Sequence, residues 1–191
     1  MRKIIFLLLL PILTFAQEAE TKIATGEIKS NLFDLVVGSS VNVGYEYFLK
    51  GNQSLQVDVT AFDTFSYFDA GYMEKNNLFS LQASYNIYFS KSKAHHGFVF
   101  YPFAKFRTGT QEVEDSLTYN PITGNYSFAT GKNDLSGFEV GFGLGHKWLF
   151  NDRISLGVGS QLGRNLTSDS EFRNNYSDLN FKANVTLGVR F

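Results

Sequence analysis

Leu179-Asn180-Phe181-Lys182-Ala183-Asn184-Val185-Thr186-Leu187-Gly188-Val189-Arg190-Phe191 alternates apolar residues with polar residues or glycine without a break. A period of two sends the two sets to opposite faces of one extended strand. The period is wrong for a helix, and the run is long enough for a tilted strand to cross a hydrocarbon layer, which takes about 9–11 residues.

The same alternation recurs upstream. Phe79, Leu81, Ala83, Tyr85, Ile87 and Phe89 interleave with Ser80, Gln82, Ser84, Asn86, Tyr88 and Ser90. Phe138, Val140, Phe142, Leu144, His146, Trp148 and Phe150 interleave with a series of glycines, Glu139 and Lys147. Ile154 to Gly163 repeats the pattern. Val41–Lys50, Leu55–Phe62 and Phe98–Arg107 are less regular, and Pro102 suggests a bulge in the last of them. A first strand is placed at about Glu27 to Val37, although its parity breaks at Leu32-Phe33-Asp34. Eight strands result.

Connections alternate in length. Lys50–Ser54, Ser90–Gly97 and Asn151–Arg153 are short, whereas Asp63–Asn77, Thr108–Asp134 and Leu166–Asp178 are long and polar; Gly38–Ser40 is the one short connection at that second end. Tight turns at one end and long loops at the other are the pattern of an outer-membrane barrel. The fold expected is therefore all-β, an eight-stranded antiparallel up-and-down transmembrane β-barrel. Parity alone does not say which face points inward. A soluble exported barrel or sandwich with the apolar set inside stays open.

Composition narrows the field. With 20 Phe, 10 Tyr and 17 Gly against 3 Pro, the chain favours strands and turns. A net charge of -1 gives no overall attraction to nucleic acid. With no cysteine, disulfides, thiolate catalysis, Cys-ligated metals and a lipid-anchored N-terminus are all excluded. The N-terminus reads as an export signal over residues 1–16: Arg2 and Lys3, an apolar run from Ile4 to Leu13, and cleavage between Ala16 and Gln17. Residues 17–191 then form the barrel domain.

The ending Leu187-Gly188-Val189-Arg190-Phe191 resembles the C-terminal signal read by the outer-membrane assembly machinery, with Phe191 as its terminal aromatic. Together with the export signal and the loop pattern, the chain resembles the small OmpA/OmpX-like barrels of gram-negative bacteria. The stretches Ile28-Lys29-Ser30-Asn31-Leu32-Phe33-Asp34 and Val41-Asn42-Val43-Gly44-Tyr45-Glu46 are similar to the opening of a group of such barrels of unknown function. The resemblance implies residence in the outer membrane among lipid and lipopolysaccharide. It departs from OmpA in having no peptidoglycan-binding domain after the last strand, so a tether to the cell wall is not expected.

The polar parity collects Glu46, Asp58, Lys105, Arg107, Glu139, Lys147, Lys182 and Arg190. Eight strands leave an interior only wide enough for side chains, so these charges are expected to pair as a plug. Phe48, Phe62, Tyr88, Tyr101 and Phe103 would narrow the lumen further. The alternative is a proton or ion path.

No catalytic, cofactor or metal site is expected. His146 lies near Trp148 with no nucleophile beside it, which suits an interfacial aromatic girdle. His95-His96 lacks acidic or thiol partners for a metal and reads as a solvated turn. The outer loops carry Asp63, Asp69, Glu74, Glu112, Glu114, Asp115, Asp134, Asp169, Glu171 and Asp178 against Lys75, Lys132 and Arg173. Tyr67, Tyr72, Tyr119, Tyr126 and Tyr176 are interspersed, so either plain solvation or a surface for an external ligand fits. The leading expectation is a non-catalytic outer-membrane barrel with a structural or surface-interaction role. A porin-like small-solute pore, an outer-membrane lipid-modifying enzyme and a soluble periplasmic binding barrel are the alternatives.

Overall fold

The computed structural model describes residues 24–36, 40–61, 73–90, 95–121, 124–134, 136–167 and 179–191. The export segment, the Ala16–Gln17 cleavage site, Phe62 and the loop residues Asp63, Tyr67, Asp69, Tyr72, Asp169, Glu171, Arg173, Tyr176 and Asp178 lie outside them.

The strands are β1 (Gly26–Asn31), β2 (Val41–Phe48), β3 (Gln53–Ala61), β4 (Met73–Phe89), β5 (Gly97–Asn120), β6 (Asn125–Asp134), β7 (Gly137–Phe150), β8 (Ile154–Asn165) and β9 (Leu179–Arg190), with a short helix α1 (Leu32–Val36) after β1. Every pairing is antiparallel. The wall runs β4-β3-β2-β1-β9-β8-β7-β5 and closes by β4 on β5. Eight strands thus form a closed up-and-down barrel, and β6 stands outside that count.

Closure is made at the turn end. Glu27 to Asn31 pair with Arg190 to Thr186, and below them Phe191 accepts a hydrogen bond from Thr25 N (2.9 Å) and donates one to Gly26 O (3.1 Å). The turns here are tight. Phe150 pairs with Ile154 across a three-residue connection in which Asn151 and Asp152 both take positive φ (50° and 56°), a conformation these two residue types tolerate.

The strand faces settle which way the alternation points. Val43, Tyr45, Leu55, Val57, Phe79, Leu81, Phe142 and Leu144 are exposed, whereas Glu27, Lys29, Asn42, Glu46, Asn86, Glu139, Lys147 and Gln161 are buried. A soluble barrel would show the reverse. Here the apolar face is a belt around the outside, as hydrocarbon requires, and the polar face fills the inside. A closed wall leaves no sheet edge to expose to lipid. Among the described residues no helix is long and apolar enough to cross a membrane.

Two sequence expectations are corrected. The first strand does not run to Val37; it stops at Asn31, and the parity break at Leu32-Phe33-Asp34 is the start of α1. Asn31 itself ends the strand: its side-chain oxygen accepts from the Phe33 backbone N–H (3.1 Å), a local bond that competes with the ladder. The segment Thr108–Asp134 is not a loop. β5 continues for 24 residues, roughly 80 Å of chain, and its outer half pairs with β6 from Thr110↔Asp134 to Asn120↔Asn125. β6 takes over the edge of β5 that β7 occupies from Gly97 to Arg107. The β5–β6 pairing therefore continues the sheet beyond the last β5–β7 pair, Arg107↔Gly137, out to Asn120↔Asn125.

Candidate functional site

The lumen is built in tiers, and strand register decides which side chains share each tier. At the turn end, Glu27 on β1 lies opposite Glu46 on β2 and Arg190 on β9. Two carboxylates side by side need cations, and three converge. Lys147 bridges both, 3.1 Å from Glu27 and 2.8 Å from Glu46. Lys29 reaches Glu46 at 2.8 Å, and Arg190 Nε reaches Glu27 at 3.1 Å.

Hydroxyl and amide donors complete the shell. Ser155 donates to the other Glu27 oxygen at 2.7 Å. Glu46 Oε1 accepts from Ser54, from Tyr88 (2.5 Å) and from Asn86 (3.3 Å). Both carboxylates are 0% exposed. Burial of this kind is tolerable only with every lone pair engaged.

Aromatic rings seal the tier below. His95 stacks on Phe48 with centroids 4.4 Å apart and meets Tyr88 edge-on at 5.9 Å. Its Nε2 lies 3.1 Å from Leu49 O, and its backbone carbonyl accepts from Arg190 at 2.6 Å. Lys147 and Arg190 stand over the Phe48 ring at 5.5 and 4.9 Å. His95 is therefore a buried stopper and not a solvated turn residue. Burial pushes its imidazole below the ordinary value, against the pull of the Leu49 carbonyl and Glu46.

Toward the loop end a second tier forms. Glu139 on β7 pairs with Lys105 at 2.8 Å and Arg107 at 3.8 Å, both on the neighbouring β5, and accepts from Asn180 at 3.1 Å. Lys182 does not join it; its partner is Asp34 on α1, at 2.6 Å. Between the tiers lies a cavity of about 410 Å³ lined by Asp58, Asn86, Gln82, Gln161, Tyr101 and Lys29 among others. Asp58 is held by Gln56, whose amide donates to both carboxylate oxygens at 2.9 and 2.7 Å. Gln82 and Gln161 exchange hydrogen bonds across the lumen at 3.3 and 3.2 Å.

The eight charges singled out from sequence thus divide. Glu46, Lys147 and Arg190 belong to the turn-end tier, Lys105, Arg107 and Glu139 to the loop-end tier, Lys182 to α1, and Asp58 to the cavity wall. Glu27, Lys29 and Asp34 complete the arrangement and were missing from that set. Glu27 and Lys29 sit on the short first strand, where the broken parity concealed their face. Phe48, Tyr88, Val99 and Phe103 are buried inside.

Among the described residues no group of three His, Asp or Glu side chains is placed to hold a metal ion. His146 is on the outer face against Trp148, with ring centroids 4.5 Å apart.

Comparison with known proteins adds family membership. A family model described as a protein of unknown function (DUF3575) matches residues 4–186. The chain belongs to the DUF3575 family. No curated protein matches it. Among solved structures this DUF3575 chain is similar to the N-terminal β-barrel domain of Pseudomonas aeruginosa OprF, at 17% identity and a TM-score of 0.46 over 87% of this chain and 95% of that one. It is also similar to neisserial surface protein A, NspA, at 14% identity and a TM-score of 0.45 over 86% of this chain and 91% of that one. The DUF3575 chain has the architecture of the small OmpA/OmpX-like barrels: eight antiparallel strands, consecutive neighbours paired, closed first to last.

Proposed function

We propose that this barrel resides in the outer membrane as a non-catalytic, non-conducting protein whose working part is its loop end, in a structural or surface-interaction role. The observation that carries the reading is the turn-end tier. Glu27, Glu46, Lys29, Lys147 and Arg190 span the lumen from β1, β2, β7 and β9, with His95 and Phe48 stacked beneath them. A path for solute would have to break several buried ion pairs at once, each of which resists disruption by a few kcal/mol.

The loop end is built differently. β5 and β6 stay paired out to Asn120↔Asn125, beyond the last β5–β7 pair, and the acidic and tyrosine-containing segments named from sequence are assigned to that side by this reading. Such a surface supports a role toward lipopolysaccharide or an external ligand. Phe191, paired into the closing seam, suits recognition by the outer-membrane assembly machinery. Nucleic acid is not among the partners proposed.

Planar bilayer recording tests the closed lumen. Purified full-length barrel is expected to give no reproducible single-channel steps, whereas steps that survive repurification would replace this reading with that of a pore. Fractionation with heat-dependent gel mobility tests location: a folded species in cold SDS that shifts on boiling, found with the outer membrane.

A further inference from the structure

One charge stands on the apolar side of the wall. Along β8 the outward positions are Ile154, Leu156, Val158, Ser160, Leu162 and Arg164, while Gln161 and Asn165 beside them are buried. Arg164 is exposed. Among the described outward positions of β1, β2, β3, β7, β8 and β9, of β4 from Phe79 and of β5 as far as Phe106, no other side chain is Asp, Glu, Lys or Arg. Leu162 and Leu166 flank it along the chain. Val140 and Leu179 lie opposite it on β7 and β9, and Phe181 is one outward step further along β9. Leu179 and Phe181 are 56% and 73% exposed. Among the described residues nothing hydrogen-bonds or ion-pairs with the guanidinium.

The height of this residue bears on its use. β8 rises about 33 Å from Ile154 to Arg164 at about 3.3 Å per residue, and strands tilted near 40° turn that into about 25 Å of height. An outer-membrane barrel presents an apolar band about 25 Å tall. Ile154 pairs with Phe150 at the turn end, where Trp148, Phe150 and Phe191 are exposed. Arg164 therefore falls at the opposite boundary of the band. There an arginine on the lipid face costs little, whereas at the midplane it costs much more.

A guanidinium offers paired donors in one plane, which match phosphate oxygens two at a time. Head groups lie at this level, and acyl chains cover the surfaces below it. We propose that Arg164 is the docking point for a lipid whose head carries a phosphomonoester, with the phosphate on the guanidinium and the acyl chains over Leu162, Leu179 and Phe181. A zwitterionic head brings its own cation, which competes with Arg164 for the phosphate. A free anion has no use for the apolar flank. The inference rests on the loop end lying at the outer leaflet, and it places the lipid on the wall of the barrel instead of on its loops.

The chain has no cysteine, so one environment-sensitive label reports from L179C beside Arg164 and another from V59C, an outward position of β3 set between Val43 and Leu81. Full-length barrel in non-ionic detergent is titrated with dipalmitoyl phosphatidate, dipalmitoyl phosphatidylcholine and inorganic phosphate. Phosphatidate is expected to shift the L179C label saturably and leave V59C unchanged, and the other two probes to leave both unchanged. R164Q should weaken phosphatidate binding about tenfold, the loss of one charge-assisted contact, and R164K should recover part of it. Equal responses at the two labels would overturn the site as micelle partition. Phosphatidylcholine or inorganic phosphate acting as well as phosphatidate would overturn the lipid chemistry, and unchanged affinity in R164Q would overturn the role of Arg164. Asp169, Glu171 and Asp178, in the connection after β8, are its competitors within the chain, so R164Q is repeated in a D169N/E171Q/D178N background. The same loss in both backgrounds is expected; a loss confined to the native connection would make Arg164 a tether for that connection and overturn the lipid site. Cold-SDS mobility establishes that each variant is folded, and if R164Q does not fold, the comparison of labels and probes with Arg164 in place still decides. Binding in micelles does not depend on which membrane holds the barrel, and fractionation decides that separately, so the site and the outer-membrane assignment fail independently.

Discussion

Glu27 and Arg190 face each other in register across the seam that closes the barrel, and their side chains meet 3.1 Å apart inside it. Backbone pairing and ion pairing thus act at the same point. Breaking one partner of a buried pair leaves an uncompensated charge, which costs about 3–5 kcal/mol. R190Q is expected to lower the stability of the folded barrel by that order in urea titration. E27Q/R190Q should cost less than the two single losses added together, because the pair is removed as a unit. Additive losses would mean the two side chains act independently.

His95 supplies a pH dependence with a definite sign. Its folded-state imidazole lies below the ordinary value of 6.5 because Phe48, Tyr88 and the tier above bury it. The unfolded chain therefore takes up the proton first as the medium acidifies. The contribution of neutral His95 is complete above about pH 6.5 and declines as pH falls below that toward the lower folded value. Unfolding midpoints at pH 8 and pH 5.5 should differ for the native chain, and H95Q should shrink the difference. An undiminished difference in H95Q would assign it to the carboxylates.

Glycine has a specific use opposite Tyr101. In the β5–β7 register Gly143 faces Tyr101, and a Cβ at 143 would fall on the phenol ring. The ring covers the glycine and sends its hydroxyl to Ser160 O at 3.4 Å. G143A must displace Tyr101, an overpacking cost of about 1–3 kcal/mol. G143A/Y101F would retain the clash, whereas G143A/Y101S should relieve it. Recovery of the unfolding midpoint in the second double variant, and not in the first, is the expected result.

How much of this was legible in the sequence follows from what periodicity encodes. Alternation in Leu179–Phe191, Phe79–Phe89 and Phe138–Phe150 reports faces, and these strands lie where the alternation puts them. It does not report partners across a lumen. Lys147 meets both Glu27 and Glu46, more than a hundred residues away in sequence, and only closure brings them together. Lys182 and Arg190 share a strand and a parity, yet one binds Asp34 and the other Glu27. The first strand was obscured because Asn31 ends the ladder with its own side chain. The β5–β6 hairpin was obscured because its composition is that of a polar loop, and its order comes from continuing a pairing already established below.

The outer belt gives the most direct test of the membrane reading. Leu144 lies midway along β7 and Phe150 at its turn end, both exposed on the apolar face. In a bilayer the cost of arginine depends on depth, about 2–4 kcal/mol at the midplane and about 0–1 near the interface. L144R should therefore destabilise the barrel in lipid vesicles far more than F150R, by a difference that urea unfolding resolves. In water the two substitutions would replace similarly exposed apolar side chains and differ little. A shared, small effect in vesicles would remove hydrocarbon from the surroundings of Leu144 and with it the assignment of the apolar face to lipid.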